Sequence, residues 1–409
     1  MKIYKKNYLE SLLPREPYLS KIQNVEIIIS PFINHGNKFR YIDFENPINA
    51  HQFKPKYYLN SNNSLICYCA TITIAKHVQK AWNLYSINFK PLKTKIKMNK
   101  KYLKTNTYDL YSPLIDILLV NKPIHERVIM GKIESINAFL KMLIIKNDLN
   151  FSIPKLKNLY IELEKHRLKH NLLTVQNSQI FTDYLGKKNY EKLKLYFNIN
   201  TTNSIWVGNY LGIENVTYKN KKFTIINLPW GQDLAFAITK KLLIKSKKIR
   251  KFIIVGGAGS VEDNLNVDDI LIANSVQNEE GEKIEFNNQF LRILPTGKNI
   301  TSPTGLFSKK IGGGRFLCVN SSLGHKKNFS QTNKNNGIKG FDMESYGILK
   351  AIKETKPKTK IFMIHYIMDL PLKGLELGAT YYNKNFLNKL LSNFNRGKYF
   401  CFDFIFELI

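Results

Sequence analysis

Acidic residues, cysteine and arginine are all scarce in this chain. Only 31 Asp and Glu stand against 62 Lys and Arg in 409 residues, leaving a formal charge of +31. So basic a balance raises the question of a nucleic-acid or anionic-membrane partner. The scarcity of Arg answers it, because most of the positive charge is Lys dispersed among Asn and Ile. Ammonium groups lack the bidentate fork suited to bases and phosphates. Lys, Asn and Ile also share AT-rich codons, which ties much of the charge to genome composition. Nucleic acid is therefore not the expected partner. Four cysteines, Cys67, Cys69, Cys318 and Cys401, are too few for a disulfide scaffold. Cys67-Tyr68-Cys69 has neither metal nor redox spacing, so a reduced, cytoplasmic protein without a metal site is expected. No apolar run approaches the length of a spanning helix; Leu114 to Val120 is short and broken by Asp116. Met1 to Lys21 has no apolar core of the signal-peptide kind.

With 44% hydrophobic and 12% aromatic residues, the chain reads as folded, and its length suits two or three domains. Residues 1–170 are expected to form a separate α+β domain of unassigned role. Val25 to Ile29 reads as a strand there, Leu65 to Ala75 as a strand running into a possible helix, and Ile133 to Lys146 has apolar positions at helical spacing. Lys155 to His170 reads as a charged connecting helix. His35, His51, His77 and His125 stand alone, with no carboxylate or Cys at ligand spacing.

Residues 171–409 are expected to hold a complete second domain that starts with a strand at Leu172 to Val175. Lys222 to Leu228 reads as a strand and Asp233 to Lys245 as a helix. Ile249 to Val255 reads as a buried strand leading into a loop, Gly256-Gly257-Ala258-Gly259. Glycines after a buried strand allow a ligand to approach the backbone closely. Residues 274 to 320 read as a long polar connection closed by a short strand, Phe316 to Asn320. Phe400, Phe402, Phe404 and Phe406 alternate as in a half-buried strand.

The most informative stretch is Gly340 to Tyr382. Asp342-Met343-Glu344-Ser345 opens a helix, where carboxylates are favoured by unpaired N–H groups. Ile361 to Met368 then reads as a strand covered on both faces, and it ends at Asp369. Strand ends of this kind are where open α/β sheets bind ligands.

Asp342-Met343-Glu344-Ser345 with Asp369-Leu370-Pro371 resembles the purine nucleoside phosphorylase and nucleosidase superfamily. The wording around Asp369, with Gly378-Ala379 and Tyr381-Tyr382, is similar to the catalytic domain of AMP nucleosidase. Val267 to Ala273 is similar to the superfamily's Gly-Asp-Ile strand, with Asp268 in place of the Gly. The resemblance implies a three-layer αβα fold and cleavage of the N-glycosidic bond of a purine nucleoside or nucleotide. It assigns proton donation to Asp369 and ribose binding to Glu344 over Met343. Gly256, Gly257 and Gly259 would complete the pocket, with Asn320 near the base; Phe316 could serve there as well, although it reads first as a core residue. No cofactor is implied, and phosphate enters only as a cosubstrate if cleavage is phosphorolytic. A homo-oligomer is expected.

The chain also departs from that pattern. The usual Ser before the catalytic Asp is Met368, and an upstream Arg is replaced at His365. Phosphorylases of this kind carry an Arg two residues before the first Gly and a Ser just after it; here Ile254 and Gly257 stand there. Phosphorylases also carry an Arg in the loop after the first strand, where methylthioadenosine-type nucleosidases carry a Glu. Val175 to Gly186 has neither. Hydrolysis is therefore expected over phosphorolysis, with a catalytically weak nucleoside-binding module as the alternative.

Overall fold

The computed structural model describes residues 122–148, 185–200, 211–227, 231–320, 327–374 and 397–409. It also describes shorter runs at 24–29, 40–42, 56–59, 64–69, 93–94 and 205–207, and scattered single positions. The early runs pair as one sheet in the order β2-β3-β4-β1-β5. Its strands are Asn24–Ile29 (β1), Arg40–Ile42 (β2), Lys56–Leu59 (β3), Ser64–Cys69 (β4) and Lys93–Thr94 (β5). The strand expected at Val25 to Ile29 is there, and of the stretch expected to run from strand to helix over Leu65 to Ala75, Leu65 to Cys69 lies in β4 and Ala75 is helical. Cys67 and Cys69 share a face as alternation requires, with buried free thiols 3.7 Å apart.

A second sheet has eleven strands. They are Arg127–Met130 (β6), Ile205–Val207 (β7), Leu211–Tyr218 (β8), Lys221–Asn227 (β9), Lys251–Ser260 (β10), Ile270–Asn278 (β11), Lys283–Glu285 (β12), Asn299–Thr301 (β13), Ser308–Cys318 (β14), Ile338–Asp342 (β15) and Lys360–Asp369 (β16). The helices with described bounds that accompany them are Ile133–Asp148 (α1), Lys187–Asn200 (α2), Gln232–Lys245 (α3), Lys327–Asn335 (α4), Ser345–Thr355 (α5) and Gly397–Leu408 (α6). The fold is mixed α/β, with helices on both faces of the sheet. Ile253, Val255, Phe362 and Ile364 pack with α1 and α6. Their neighbours Phe252, Ile254, Met363 and Ile367 pack with α3 and α5. Burial on both faces explains why β10 and β16 read as unbroken apolar runs.

The expected boundary at 170 does not hold. β6 lies within the large sheet, parallel to both β9 and β10, and α1 buries Ile136, Phe139, Leu140 and Leu143 beneath it. A four-residue strand between Glu126 and Lys132 is too short to show a period, which is why it escaped notice. The strand expected at Leu172 to Val175 lies outside the described residues. So do most of Lys155 to His170, the helix expected around Phe386 to Phe394, His35, His51, His77, Gly378, Ala379, Tyr381 and Tyr382.

Three local readings also change. The glycines are not a loop, since β10 runs on through Gly256, Gly257 and Gly259 to Ser260. The stretch 274–320 holds β12, β13 and the eleven-residue β14 rather than a bare connection. The aromatic tail is a helix, not a strand. Tyr399, Phe400, Cys401, Phe402, Phe404, Ile405 and Phe406 are all buried, and a helix buried all round shows no amphipathic period.

Pairing also closes a ring. β10 pairs with β16, β16 with β11, β11 with β14, β14 with β15, and β15 again with β10. Where β11 and β16 diverge, Asn288 bridges them. Its Nδ2 donates to the carbonyls of Ala273 and Met363, and its Oδ1 accepts from the Met363 N–H. Asp268, which replaces the superfamily's Gly, has φ of 71°, a region Asp tolerates better than most residues. Its carboxylate accepts from the Gly397 N–H at the start of α6.

Candidate active site

The carboxyl ends of β9, β10, β14, β15 and β16 bring most of the expected residues together. Asp369 ends β16 in register with Gly259. A Cβ built on Gly259 would lie 3.8 Å from the Asp369 Cβ and 3.6 Å from the Phe341 ring. Asp369 thus flanks one side of β10, and the turn Phe341-Asp342-Met343-Glu344 flanks the other. Asp369 is buried, at 8% exposure.

Asp342 closes β15 rather than beginning the helix. Its carboxylate accepts from the Ser345 N–H at 2.9 Å and the Ser345 hydroxyl at 2.6 Å, which ties the first residue of α5 to the strand. His365 Nε2 stands 3.6 Å from Asp342 Oδ2, and both side chains are buried. Glu344 takes the N-cap position without capping its own helix. It accepts instead from the Met343 N–H and from the N–H of Gly231 ahead of α3. Its Oε1 is fully shielded and has no hydrogen-bond partner among the described residues.

Burial, and then the charge of Asp342, push the Glu344 carboxyl up to about 8. A folded-state value above the ordinary 4.5 means that folding favours the protonated form. That contribution is complete below pH 4.5 and disappears as pH rises through about 8. The ligand-free protein should therefore lose stability relative to Glu344→Gln across that window. Denaturant melts of both proteins at several pH values measure it, and parallel curves would refute the shift.

Gln232, the first residue of α3, donates from Nε2 to Asn320 Oδ1 at 2.9 Å. Asn320 donates through its backbone N–H and Nδ2 to Glu279, at the end of β11. Gly231 and Gln232 thus link the Glu344 turn to Asn320. Gly347 sets how closely α3 and α5 approach, since a Cβ there would lie 1.9 Å from the Gln232 carbonyl oxygen. Backbone cannot swing aside as a side chain can. Gly347→Ala should cost about 1–3 kcal/mol despite the better helix propensity of Ala. A denaturation midpoint equal to that of the wild type would show that the helices separate freely.

Met343 is half-buried and packs in a cluster with Phe341, Leu317, Val319, Ile338 and Leu372. Phe316 is fully buried, its ring 5.2 Å from that of His365 and its edge against Gly340. It belongs to the core, the reading preferred for it, and is not offered as a base contact. Gly256 lies beside His365, and Gly257 lies beside Met368 and Tyr366. Sequence reasoning missed the roles of Asp342, Gly231, Gln232 and Glu279, since nothing in the linear order links 231 with 344 or 279 with 320. Among the described residues no group of His, Cys, Asp and Glu is arranged to hold a metal ion. None of their helices is long and apolar enough to cross a membrane.

No protein-family model matches the chain. It is 29% identical over 143 residues to the DeoD-type purine nucleoside phosphorylase of Buchnera aphidicola subsp. Acyrthosiphon pisum (strain APS), covering 34% of this chain and 61% of the relative. The protein of the same description from Buchnera aphidicola subsp. Schizaphis graminum is 26% identical over 143 residues. The match thus spans about three fifths of these relatives' length. Among solved structures, the 5'-methylthioadenosine/S-adenosylhomocysteine nucleosidase of Neisseria meningitidis superposes with a TM-score of 0.39 at 13% identity. That superposition covers 53% of this chain and 95% of the other. Futalosine hydrolase of Helicobacter pylori strain 26695 gives 0.39 at 15% identity over 53% and 91%. Over the matched stretch, the chain is similar in sequence to purine nucleoside phosphorylases of the DeoD type.

Proposed function

We propose that this protein cleaves the N-glycosidic bond of a purine nucleoside or nucleotide, with water as the nucleophile. The observation that carries the proposal is the placement of Asp369 and the Met343-Glu344 turn on opposite sides of Gly259. An acid is needed at the leaving base and an acceptor at the sugar, and the two come from different strands. The catalytic unit in this reading starts near residue 122, because β6 and α1 belong to its sheet.

In the proposed reaction the C1′–N9 bond breaks and its electron pair leaves with the purine. Asp369 donates a proton to N7, giving a neutral base. The oxocarbenium-like sugar is held through its hydroxyls by Glu344, over the apolar surface of Met343. Water bonds to C1′ and surrenders its proton to a carboxylate. Since β6 is the sheet's first strand by sequence, the loop to search for that carboxylate is 131–133, not 175–186. It contains Lys132, and Glu134 follows in the first turn of α1. The base for the water is left to that segment, and Asp369 is reprotonated as the purine departs.

Chromatography of products after incubation with a panel of purine nucleosides and AMP, with and without phosphate, tests the proposal. Free base and free ribose (or ribose 5-phosphate) in both conditions are expected. Release that depends strictly on phosphate and yields ribose 1-phosphate would overturn the hydrolytic reading. A second reading, ligand binding without turnover, is favoured by the substitutions at His365 and Met368. Saturable nucleoside binding with no product over long incubation would establish it.

A further inference from the structure

Met368 is the extra residue of a β-bulge. Ala258 pairs with Ile367 and Gly259 with Asp369, so Met368 has no opposite number in β10. Bulges re-aim the side chains beside them. Here the bulge turns Asp369 onto the face of Gly259, and it turns the Met368 side chain back onto Gly257. A Cβ on Gly257 would lie 1.9 Å from the Met368 sulfur and 2.7 Å from its Cγ. The glycine is thus a socket filled by the thioether.

The socket lies in the candidate site. β16 occupies one edge of β10 from Lys251 to Gly259. The other edge is shared by β6, which pairs only Lys251 to Ile254, and β15, which pairs only Gly259 and Ser260. On that second edge, between the two, Val255 to Ala258 pair with no strand among the described residues, although Gly131 lies against Val255. Gly256, Gly257 and Met368 are half-buried, and Asp369 is the next residue. A backbone stretch with small residues and an open edge is a place where an anion can approach main-chain N–H groups.

We propose that Met368 selects the nucleophile by occupying the surface of Gly257, keeping divalent anions out and leaving room for water. The proposal rests on the glycosidase reading above and adds to it the residue that decides between hydrolysis and phosphorolysis. A thioether offers no donor, and a phosphate dianion pressed against it gives up hydration for nothing. The strand beneath adds no cation, since Ile254 and Val255 precede the glycines. Asp369 close by repels an anion whenever it is ionised. Water faces none of these penalties.

The test titrates inorganic phosphate into the full chain by calorimetry, alongside Met368→Ala, Met368→Ser and Met368→Leu. The wild type and Met368→Leu should show no saturable binding. The Ala and Ser variants should bind at least about tenfold more tightly, the scale of one charge-assisted hydrogen bond gained. Phosphate binding by the wild type equal to that of the small variants overturns the proposal, as does binding by Met368→Leu. Absence of binding in a folded Ala or Ser variant overturns it too. Should the Ala and Ser variants fail to fold, Met368→Thr takes their place, since it also uncovers Gly257 and offers a donor, and it must then bind phosphate. Melting curves add a coupling check: Gly257→Ala should destabilise the wild type but be tolerated in the Met368→Ala background. Failure of the wild type to release base from any nucleoside would sink the glycosidase reading, yet these binding outcomes would still decide the role of Met368.

Discussion

Asp369→Asn is expected to fold like the wild type and to lose base release by about 10²–10⁴-fold, the range typical of a positioned general acid. An amide matches the carboxyl in shape but cannot deliver a proton to the purine. Folding should survive, because the residue ends its strand and its neighbour Gly259 accommodates either side chain. The loss should be smaller for a substrate whose base leaves easily without protonation, such as a 7-alkylated purine nucleoside. A rate equal to that of the wild type with ordinary purine nucleosides removes Asp369 from the mechanism. A uniform loss for both kinds of substrate, with a lowered melting temperature, would assign it a structural part instead.

Glu344→Gln should produce the second large effect, and it should be selective. Activity on ribonucleosides should fall by about 10²–10³-fold, on the scale of losing a strong polar contact made in the transition state. Deoxyribonucleosides should lose far less, because the missing hydroxyl has nothing left to give up at that contact. The raised carboxyl adds a second signature. Near neutral pH, Glu344 starts protonated and must ionise to accept hydrogen bonds from two sugar hydroxyls. Nucleoside binding should therefore release a proton, visible as a buffer-dependent enthalpy in calorimetry and absent from Glu344→Gln. Equal losses for ribose and deoxyribose substrates would dismiss the ribose assignment, and buffer-independent heats would dismiss the ionisation.

Much of the site was legible because its residues sit beside unmistakable local signals. Asp369 follows a continuous apolar run, and a run of that kind ends where the sheet ends. Glu344 precedes a stretch of helical period whose apolar positions, Tyr346, Ile348, Leu349 and Ile352, are those that face the sheet. The helix from Gln232 and the strand from Lys221 were legible for the same reason. The glycines of β10 were read as a loop, yet pairing with β16 holds them extended. Strand pairing is long-range and leaves no local trace.

The amino-acid sequence by itself determined the α/β character and the likeness to purine nucleoside phosphorylases, and it singled out the two carboxylates as candidates. Each rests on hydrophobic period or residue order within a short window, where the physics is local. Tertiary structure alone decided that β6 belongs to the large sheet, because four residues make a strand only when β9 and β10 supply both edges. It alone joined Asp342 to His365 and Gln232 to Asn320, pairs that burial brings together across the fold. It also decided which way Asp369 faces. That orientation depends on one unpaired residue, Met368, and a bulge exists only as a mismatch between two strands more than a hundred residues apart.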